Sequence, residues 1–452
     1  MKTKKRSFFK SLILLILFVP CIFFFSACSN DVPFYEQAGY ESLEAMLADL
    51  KGADGQDGED GENGLNGTNG QDAPQETSYD IYLKAKELGE YNGTYIDFVK
   101  NVLNLTETNE NVLINKNLAS VVTIKTSTPN YGSQSGTGVI YNIDFENDLA
   151  FVITNYHVAY CSGTLSPYES FKLNMYGNDS SKEFDAYFVG GSKHYDIAIL
   201  SVTNCDVFEA YNAVPATFNT ADATMGSKCF AIGNTIGQGI SITSGVISKD
   251  SEERILSVGG ENPVVRLIRH DAYIAGGNSG GGLFNSRGEL VGITNGGLKS
   301  TSTGGESNLI NFAIPASAVK GVAENIITNC YNTVCKQLKT FNFGFEFESS
   351  SSSGHNGDIV SQTDVVYISS IDAEILPETT LSVNDKIVSL TLTDGTTELK
   401  QNISRLHHVK DFLLLANNTH TLKLEVSRTG VAENIIVEFD LSEFGDHIKF
   451  VS

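Results

Sequence analysis

Six consecutive residues, 276–281, restrict what the chain can build around them more than any other stretch. They read GGNSGG, so glycines flank Asn278 and Ser279 on both sides. Glycine adopts backbone conformations that other residues avoid, and it lets a second backbone approach closely. The segment therefore predicts a tight turn that exposes the serine hydroxyl and lets neighbouring N–H groups converge on one point.

A serine hydroxyl is a weak nucleophile, and it requires a base that a third group orients. Two segments upstream supply candidates, because His157 lies in ITNYHVA and Asp196 lies in YDIAIL. A glycine-rich turn alone is common, and a single histidine or aspartate beside a strand is usually structural. Three such segments in the order His, Asp, Ser are hard to obtain by chance, and chymotrypsin-like proteases have this order.

The three segments resemble those of the trypsin-fold serine proteases of the HtrA (DegP-like) family. That family typically shows a TNxHV-like box, a D-[IL]-A-[VI]-L box and a GNSGGPL-like box. The last reads GNSGGGL here, with Gly282 in place of the usual proline. The resemblance implies catalysis with Ser279 as nucleophile, His157 as general base and Asp196 as the group that orients the imidazole. It also implies an oxyanion hole formed by the N–H groups of Gly277 and Ser279.

Short β-branched runs separated by Gly, Asn and Ser turns continue from residue 112 to about 314, which is typical of an all-β barrel protein. The resemblance implies two six-stranded barrels with the site between them, and it covers roughly residues 112–338, the predicted serine protease domain. Apolar residues at helical spacing, Val334 among them, predict a helix from Pro315 to about Leu338.

Specificity is partly readable from the residues before the serine turn. Tyr273 lies six residues before the serine, at the position that forms the base of the primary pocket in trypsin-like enzymes. An aspartate there selects Lys or Arg, whereas tyrosine followed by Ile274 and Ala275 favours small or medium apolar residues. The wall on which an extended substrate pairs is predicted to comprise Thr294, Asn295 and Gly296.

Residues 339–452 resemble a PDZ domain, an α+β fold that binds peptide C-termini. Phe343, Gly344 and Phe345 match its carboxylate-binding loop. Further predicted elements are a flexible insertion at 349–353, a helix at 403–415 and closing strands at 421–426 and 434–439. The alternative is a plain α+β domain without peptide binding. The predicted fold class is mainly β, a chymotrypsin-like double β-barrel followed by a PDZ-like α+β domain.

Residues 1–27 combine a basic start with an apolar run, as a signal peptide does, and end in a lipobox-like sequence. The prediction is a lipoprotein signal peptide with lipidation at Cys28, and an uncleaved signal anchor is the alternative.

Residues 28–111 would form a stalk. Glycine at every third position predicts a collagen-like spacer over 52–72, between two short helical segments. Because this spacer lacks proline, a flexible, hydrated linker explains it equally well.

The formal charge of −23 argues against a basic nucleic-acid-binding surface and against adhesion to anionic lipid by charge. The chain has seven cysteines without a CxxC pattern, so no zinc site is expected. No cofactor is predicted. Cys330 and Cys335 lie on different faces of the predicted helix and should not pair. Cys205 and Cys229 flank successive strand-like segments, so they could form a disulfide or remain as buried thiols.

The sequence predicts a serine endopeptidase, lipid-anchored to the bacterial cell membrane outside the cytoplasm, that cleaves misfolded or exported proteins. Peptide C-termini would bind the PDZ-like domain, and the trimers common among related enzymes allow a homotrimer. One alternative is a catalytically silent peptide-binding or chaperone-like surface protein, and another is an adhesin built on the stalk. The intact set of His157, Asp196 and Ser279 favours the enzyme, and the shortness of the stalk argues against the adhesin.

Overall fold

The computed structural model describes Lys86 and residues 108–177, 182–297, 310–356 and 359–451. These residues all belong to one compact unit, 77–452. The predicted signal peptide, Cys28, the collagen-like spacer and its two flanking helical segments lie outside the described residues. In the part of the chain that the structure covers, none of the helices is long and apolar enough to cross a membrane.

Residues 121–202 form a closed, antiparallel β-barrel. Its elements, with the helices beside them, are α1 (Thr108–Lys116), β1 (Val121–Thr128), β2 (Gly132–Asp144), β3 (Leu149–Thr154), α2 (Tyr156–Ala159), β4 (Tyr160–Cys161), β5 (Ser166–Pro167), β6 (Ser170–Met175), β7 (Phe184–Ser192), β8 (Ile197–Val202) and α3 (Asp206–Ala210). The barrel order is β1-β2-β3-β8-β7-β6, while β4 and β5 form a separate ribbon. In β1, Ile124 is buried and the next residue, Lys125, is exposed, as the alternation of a strand with one apolar face requires.

A second closed barrel follows. Its strands are β9 (Lys228–Asn234), β10 (Ile240–Ile255), β11 (Val264–His270), β12 (Gly282–Asn285), β13 (Leu290–Gly297) and β14 (Asn311–Pro315). They close in the order β10-β11-β14-β13-β12-β9. Val139 and Ile153 of the first barrel and Ile232 and Leu267 of the second belong to one continuous apolar core, so the barrels are packed on each other. The predicted double β-barrel is confirmed.

Helix α4 (Ala316–Cys330) begins directly after β14. Val319 and Ile326 on its apolar stripe are fully buried in the core shared by the barrels. The sequence predicted that this helix would continue to about Leu338, and that is wrong. The chain leaves the helix after Cys330 because Asn332 adopts a left-handed φ of 57°, and Val334 is fully exposed to solvent.

Because helix α4 ends early, Cys335 lies outside the helix and close to Cys330. The chain turns back after Cys330 and brings the Sγ atom of Cys335 to 3.1 Å from the Sγ atom of Cys330. The prediction that these residues lie apart on one helix is therefore wrong. Cys205 and Cys229 are free thiols that lie in separate core clusters, so of the two alternatives they remain buried thiols.

We expect Cys330 and Cys335 to form a disulfide when the folded protein is treated with a mild oxidant, because their sulfur atoms are already in contact. Burial raises the pKa of the Cys330 thiol to about 12, so the partly exposed Cys335 should react first. Peptide mapping without reduction should find the linked peptide in wild type and in the control Cys161→Ser, but not in Cys335→Ser. Recovery of both cysteines as unlinked thiols would contradict this expectation.

A C-terminal domain follows helix α4. Its elements are β15 (Leu338–Phe341), β16 (Phe345–Asn356), β17 (Ile359–Ile371), β18 (Lys386–Thr393), β19 (Glu398–Asn402), α5 (Leu406–Leu413), β20 (Thr421–Ser427), β21 (Ile435–Asp440) and β22 (Ile448–Val451). The main sheet has the order β16-β17-β18-β20-β21 with β19 beside β18, and β15 pairs with β22. The predicted helix and closing strands are present. The predicted flexible insertion at 349–353 is wrong, because these residues continue β16 and pair with β17.

The C-terminal domain is docked on the rest of the unit through helices α4 and α5. Gly321 of α4 allows close approach, since a Cβ atom there would lie 2.7 Å from the Cβ atom of Leu414. Arg266 in β11 forms a largely buried ion pair with Asp411, whose carboxylate also accepts the hydroxyl of Ser317. Buried charges and one helix pair thus join the domain to the second barrel.

Candidate active site

His157 and Asp196 meet at one end of the first barrel. His157 lies in helix α2, directly after β3, and Asp196 lies in the turn before β8 with a left-handed φ of 52°. The fully buried Asp196 carboxylate accepts the backbone N–H of His157 at 2.9 Å and is 2.7 Å from its Nδ1 atom. This contact favours the tautomer with a proton on Nδ1, which leaves Nε2 able to accept one.

The surroundings of His157 act on its pKa in two directions. Burial is the largest effect and lowers the pKa, whereas the charge of Asp196 and the hydrogen bond to it raise the pKa. Together the two contributions of Asp196 prevail, so the pKa lies above the ordinary value of 6.5. The side chain still keeps 29% of its surface exposed, so a substrate can reach the ring.

Asn295 in β13 links the carboxylate to the serine. Its side-chain amide donates to Asp196, and its backbone carbonyl accepts the hydroxyl of Ser279 at 2.8 Å. Because the hydroxyl hydrogen is donated to this carbonyl, it is not directed at His157 in this conformation. The sequence predicted Asn295 only as part of the substrate wall, and no local pattern indicated its contact with Asp196.

The serine turn depends on glycine at two positions. Gly277 has a φ of 96° and Gly280 a φ of 85°, both in the left-handed region. A Cβ atom at Gly277 would lie 2.2 Å from the carbonyl oxygen of Asn234, and one at Gly280 would lie 2.1 Å from that of Thr137. Any larger residue at either position would displace the turn.

Gly282, where the resembling family has proline, is explained by local packing. A Cβ atom at this position would lie 2.2 Å from the ring of Phe284, which is fully buried. A proline would therefore require the buried ring to move. Glycine at this position thus suits the buried ring of Phe284.

Thr137 in β2 ties the serine turn to the first barrel, and the sequence analysis missed it. Its backbone N–H donates to the carbonyl of Ser279 at 2.9 Å, and its hydroxyl donates to the carbonyl of Gly277 at 2.6 Å. The hydroxyl oxygen also accepts the N–H of Asn234 at 2.9 Å. The local signal that could have found it is the threonine between two glycines in a strand, which suggests close backbone approach.

The N–H groups of Gly277 and Ser279 donate to no acceptor among the residues that the structure describes. The carbonyls of the same two residues accept hydrogen bonds from Thr137, so the carbonyl groups face the first barrel. The prediction of an oxyanion hole requires two such N–H groups without an internal partner.

The residues predicted to line the primary pocket directly precede the serine turn. Tyr273 is 43% exposed, and its carbonyl accepts the hydroxyl of Thr243 at 2.6 Å. Ile274 and Ala275 are half-buried. This stretch therefore presents aromatic and apolar surface without a carboxylate at the position of Tyr273.

The predicted substrate wall divides into two parts. Thr294 is buried, its N–H donates to the carbonyl of Gly281, and its carbonyl accepts the N–H of Gly280. Its backbone is thus occupied in holding the serine turn. Gly296, in contrast, has open space where a Cβ atom would be.

The predicted carboxylate-binding loop lies against the core of the C-terminal domain. Phe343 and Phe345 are buried, and their rings stack at 5.7 Å between centroids. Gly344 has a φ of 71°, and its carbonyl accepts the N–H of Asp372 at 2.7 Å. A Cβ atom at Gly344 would lie 2.7 Å from the side chain of Ile375, so the loop requires its glycine.

Two β-barrels, with a His–Asp pair on the first and a serine turn on the second, define the chymotrypsin-like class of serine endopeptidase domain. Comparisons with known proteins agree with this class. Residues 136–293 match the model of the trypsin-like peptidase domain. The serine protease Do-like HtrA of Bacillus subtilis is 31% identical over 198 residues, which cover 43% of this chain and 40% of that protein.

Two further relatives extend the comparison. The periplasmic pH-dependent serine endoprotease DegQ of Escherichia coli is 33% identical over 192 residues, covering 42% of this chain and 37% of that protein. The probable periplasmic serine endoprotease DegP-like of Buchnera aphidicola is 28% identical over 310 residues, covering 67% of this chain and 56% of that protein. The chain thus spans less than half the length of the first two relatives.

Proposed function

We propose that this protein is an HtrA-type serine endopeptidase that hydrolyses misfolded or exported proteins outside the cytoplasm. The observation that carries the proposal is the buried Asp196, which contacts Nδ1 of His157 and is joined through Asn295 to the hydroxyl of Ser279. The names of the relatives, serine protease and periplasmic serine endoprotease, support it. The direct test is hydrolysis of unfolded casein by the full chain and by Ser279→Ala.

The contacts suggest the following sequence of steps. The Ser279 hydroxyl rotates from the Asn295 carbonyl toward Nε2 of His157, which accepts the proton as the oxygen attacks the peptide carbonyl carbon. Asp196 stabilises the imidazolium, and the N–H groups of Gly277 and Ser279 bind the oxyanion. The imidazolium then gives its proton to the leaving amine, and water hydrolyses the acyl-enzyme by the same route.

The contact of Ser279 with the Asn295 carbonyl favours one alternative, a catalytically silent peptide-binding or chaperone-like protein. Such a protein would bind unfolded casein but would leave it intact, and Ser279→Ala would bind it equally well. A wild-type protein that binds casein without cleaving it, over a range of pH, would establish this alternative.

For the substrate pocket, we propose a preference for small or medium apolar residues before the cleaved bond. The exposed ring of Tyr273 and the half-buried Ile274 and Ala275 offer no carboxylate for a basic side chain. Extended substrate would pair along β13 beside Gly296, where the space is open. Mass spectrometry of casein fragments tests this, and a majority of cuts after Lys or Arg would show that the pocket was misread.

For the C-terminal domain, we propose binding of peptide C-termini in the manner of PDZ domains. Strand β16 ends the main sheet and directly follows the loop 343–345, so a peptide strand could be added there with its carboxylate at the loop. Fluorescence anisotropy with a labelled peptide that ends in an apolar residue tests this. Equal binding of the same peptide with an amidated C-terminus would exclude recognition of the carboxylate.

For the N-terminal region, we propose lipidation at Cys28 and a stalk that separates the enzyme from the membrane. The motivation is the sequence alone, a basic and apolar run that ends in small residues before the cysteine. Metabolic labelling with a fatty acid should mark the wild type and not Cys28→Ala. Equal labelling of both proteins would refute lipidation at this residue.

We expect the rate of hydrolysis to rise with pH with a midpoint above 6.5, because His157 must be neutral to accept the Ser279 proton and Asp196 raises its pKa. The kcat/KM of a short peptide should be measured from about pH 5 to 9. The contribution of this histidine to the free energy of unfolding has the opposite pH dependence. It is complete below pH 6.5, and it is lost as pH rises through the pKa of His157 in the folded protein. A midpoint at or below 6.5 in the wild type would contradict the prediction.

A further inference from the structure

Three side chains able to bind a metal meet where the C-terminal domain is docked on the second barrel. Asp222 lies before β9, and His407 and His408 lie in the first turn of helix α5. Nε2 of His407 is 2.6 Å from one carboxylate oxygen of Asp222, and Nε2 of His408 is 3.1 Å from the other. Ligand atoms from the three residues all lie within 4.8 Å of one another.

Carboxylates outnumber the guanidinium group beside this cluster, so an added cation would be favourable. The guanidinium group of the buried Arg405 is 2.8 Å from Asp250, 3.8 Å from Asp364 and 3.9 Å from Asp222. Three carboxylates therefore face one guanidinium. Uncompensated buried charge is costly, and a divalent cation between Asp222 and two neutral imidazoles would offset the surplus.

We propose that Asp222, His407 and His408 bind a divalent transition-metal cation, with Zn²⁺ as the representative ion. Imidazole nitrogen and carboxylate oxygen bind Zn²⁺ at about 2.0–2.2 Å, and a tetrahedral site with such bonds separates its ligand atoms by about 3.3 Å. The observed contacts between the histidines and Asp222 would widen slightly as the cation takes the place of the protons at Nε2, and each imidazole stays neutral by carrying its proton on Nδ1. Nδ1 of His408 would then give up the N–H of Ser404, which it accepts here at 3.3 Å. The sequence analysis considered only cysteine spacing, and it therefore had no reason to expect this site.

The proposed site is accessible to solvent and lies between the second barrel and the C-terminal domain, so a bound cation would have a structural role. The side chains of Asp222 and His408 are 30% and 18% exposed, so a cation can enter and water can supply a further ligand. Asp222 precedes the second barrel, whereas both histidines belong to the C-terminal domain. A bound cation therefore holds the two together, and it stabilises the docked form by mass action.

Calorimetric titration of the metal-free full chain with Zn²⁺ tests the proposal. We expect about one equivalent per chain and a higher melting temperature in the presence of Zn²⁺. Asp222→Asn and His408→Asn should each weaken binding by at least about tenfold. The control His194→Asn, which changes an exposed histidine of the first barrel, should bind as the wild type does.

A second substitution at the same position separates loss of a ligand from loss of structure. His408→Glu introduces another zinc ligand, a carboxylate that reaches about as far from the backbone as Nε2 of the imidazole, so it should retain Zn²⁺ binding. Absence of binding by the wild type would overturn the proposal. So would equal affinity in wild type and His408→Asn, or equal loss of affinity in His408→Glu and His408→Asn.

Discussion

Ser279→Ala and His157→Ala should each reduce the hydrolysis of unfolded casein by about 10⁴-fold or more. In the proposed mechanism Ser279 supplies the attacking oxygen, and His157 accepts its proton at Nε2, because Asp196 contacts the ring at Nδ1. Because the two side chains act in one step, the double variant should be little slower than either single variant. The measurement is the initial rate of release of acid-soluble peptides.

Ser248→Ala is the matched control, since Ser248 is an exposed serine on β10 of the second barrel. It should hydrolyse casein at the wild-type rate. Both active-site variants should keep the far-ultraviolet circular dichroism and melting temperature of the wild type, because neither side chain supports a barrel core. A folded Ser279→Ala protein with full activity would remove Ser279 from the mechanism and refute the assignment.

Asp196→Asn should lower kcat/KM by about 10⁴-fold while the serine and the histidine remain in place. The carboxylate accepts three hydrogen bonds: from Nδ1–H of His157, from the backbone N–H of His157 and from the side-chain amide of Asn295. An asparagine amide at this position can turn an N–H toward Nδ1, which selects the wrong tautomer. It also removes the charge that raises the pKa of His157, while burial continues to lower that pKa.

The residual activity of Asp196→Asn should therefore have a midpoint below that of the wild type in its pH profile, a change that a merely structural defect would not produce. Asp206→Asn changes an exposed aspartate of helix α3 and should leave rate and midpoint unchanged. Asn295→Ala removes one donor to the carboxylate and should have a smaller effect than Asp196→Asn. An unshifted midpoint in Asp196→Asn would show that Asp196 does not set the pKa of His157.

The sequence by itself determined the fold class and indicated the residues around which the site is built. Short β-branched runs separated by polar turns indicated an all-β barrel protein, because strand periodicity depends only on neighbouring residues. The resemblance of the three motif segments to the trypsin fold implied that there are two barrels. The glycines at 277 and 280 predicted the tight serine turn for a similar reason, because a left-handed backbone restricts the residue type at its own position. The helix and closing strands of the C-terminal domain were also local patterns.

Contacts between distant segments were decided only by the tertiary structure. Helical spacing continued past Cys330, but the chain turned at Asn332 and brought Cys335 back to it. The serine-rich stretch at 349–353 has weak local preferences, and pairing with β17 made it a strand.

The same holds for the polar contacts of the site and of the domain interface. Across the two barrels, Thr137 contacts the serine turn and Asn295 contacts Asp196. Asp222 meets His407 from a segment 185 residues away. Local periodicity and turn chemistry report on the conformation of neighbouring residues. They carry no information about which distant polar groups will face each other once the barrels close and the C-terminal domain docks.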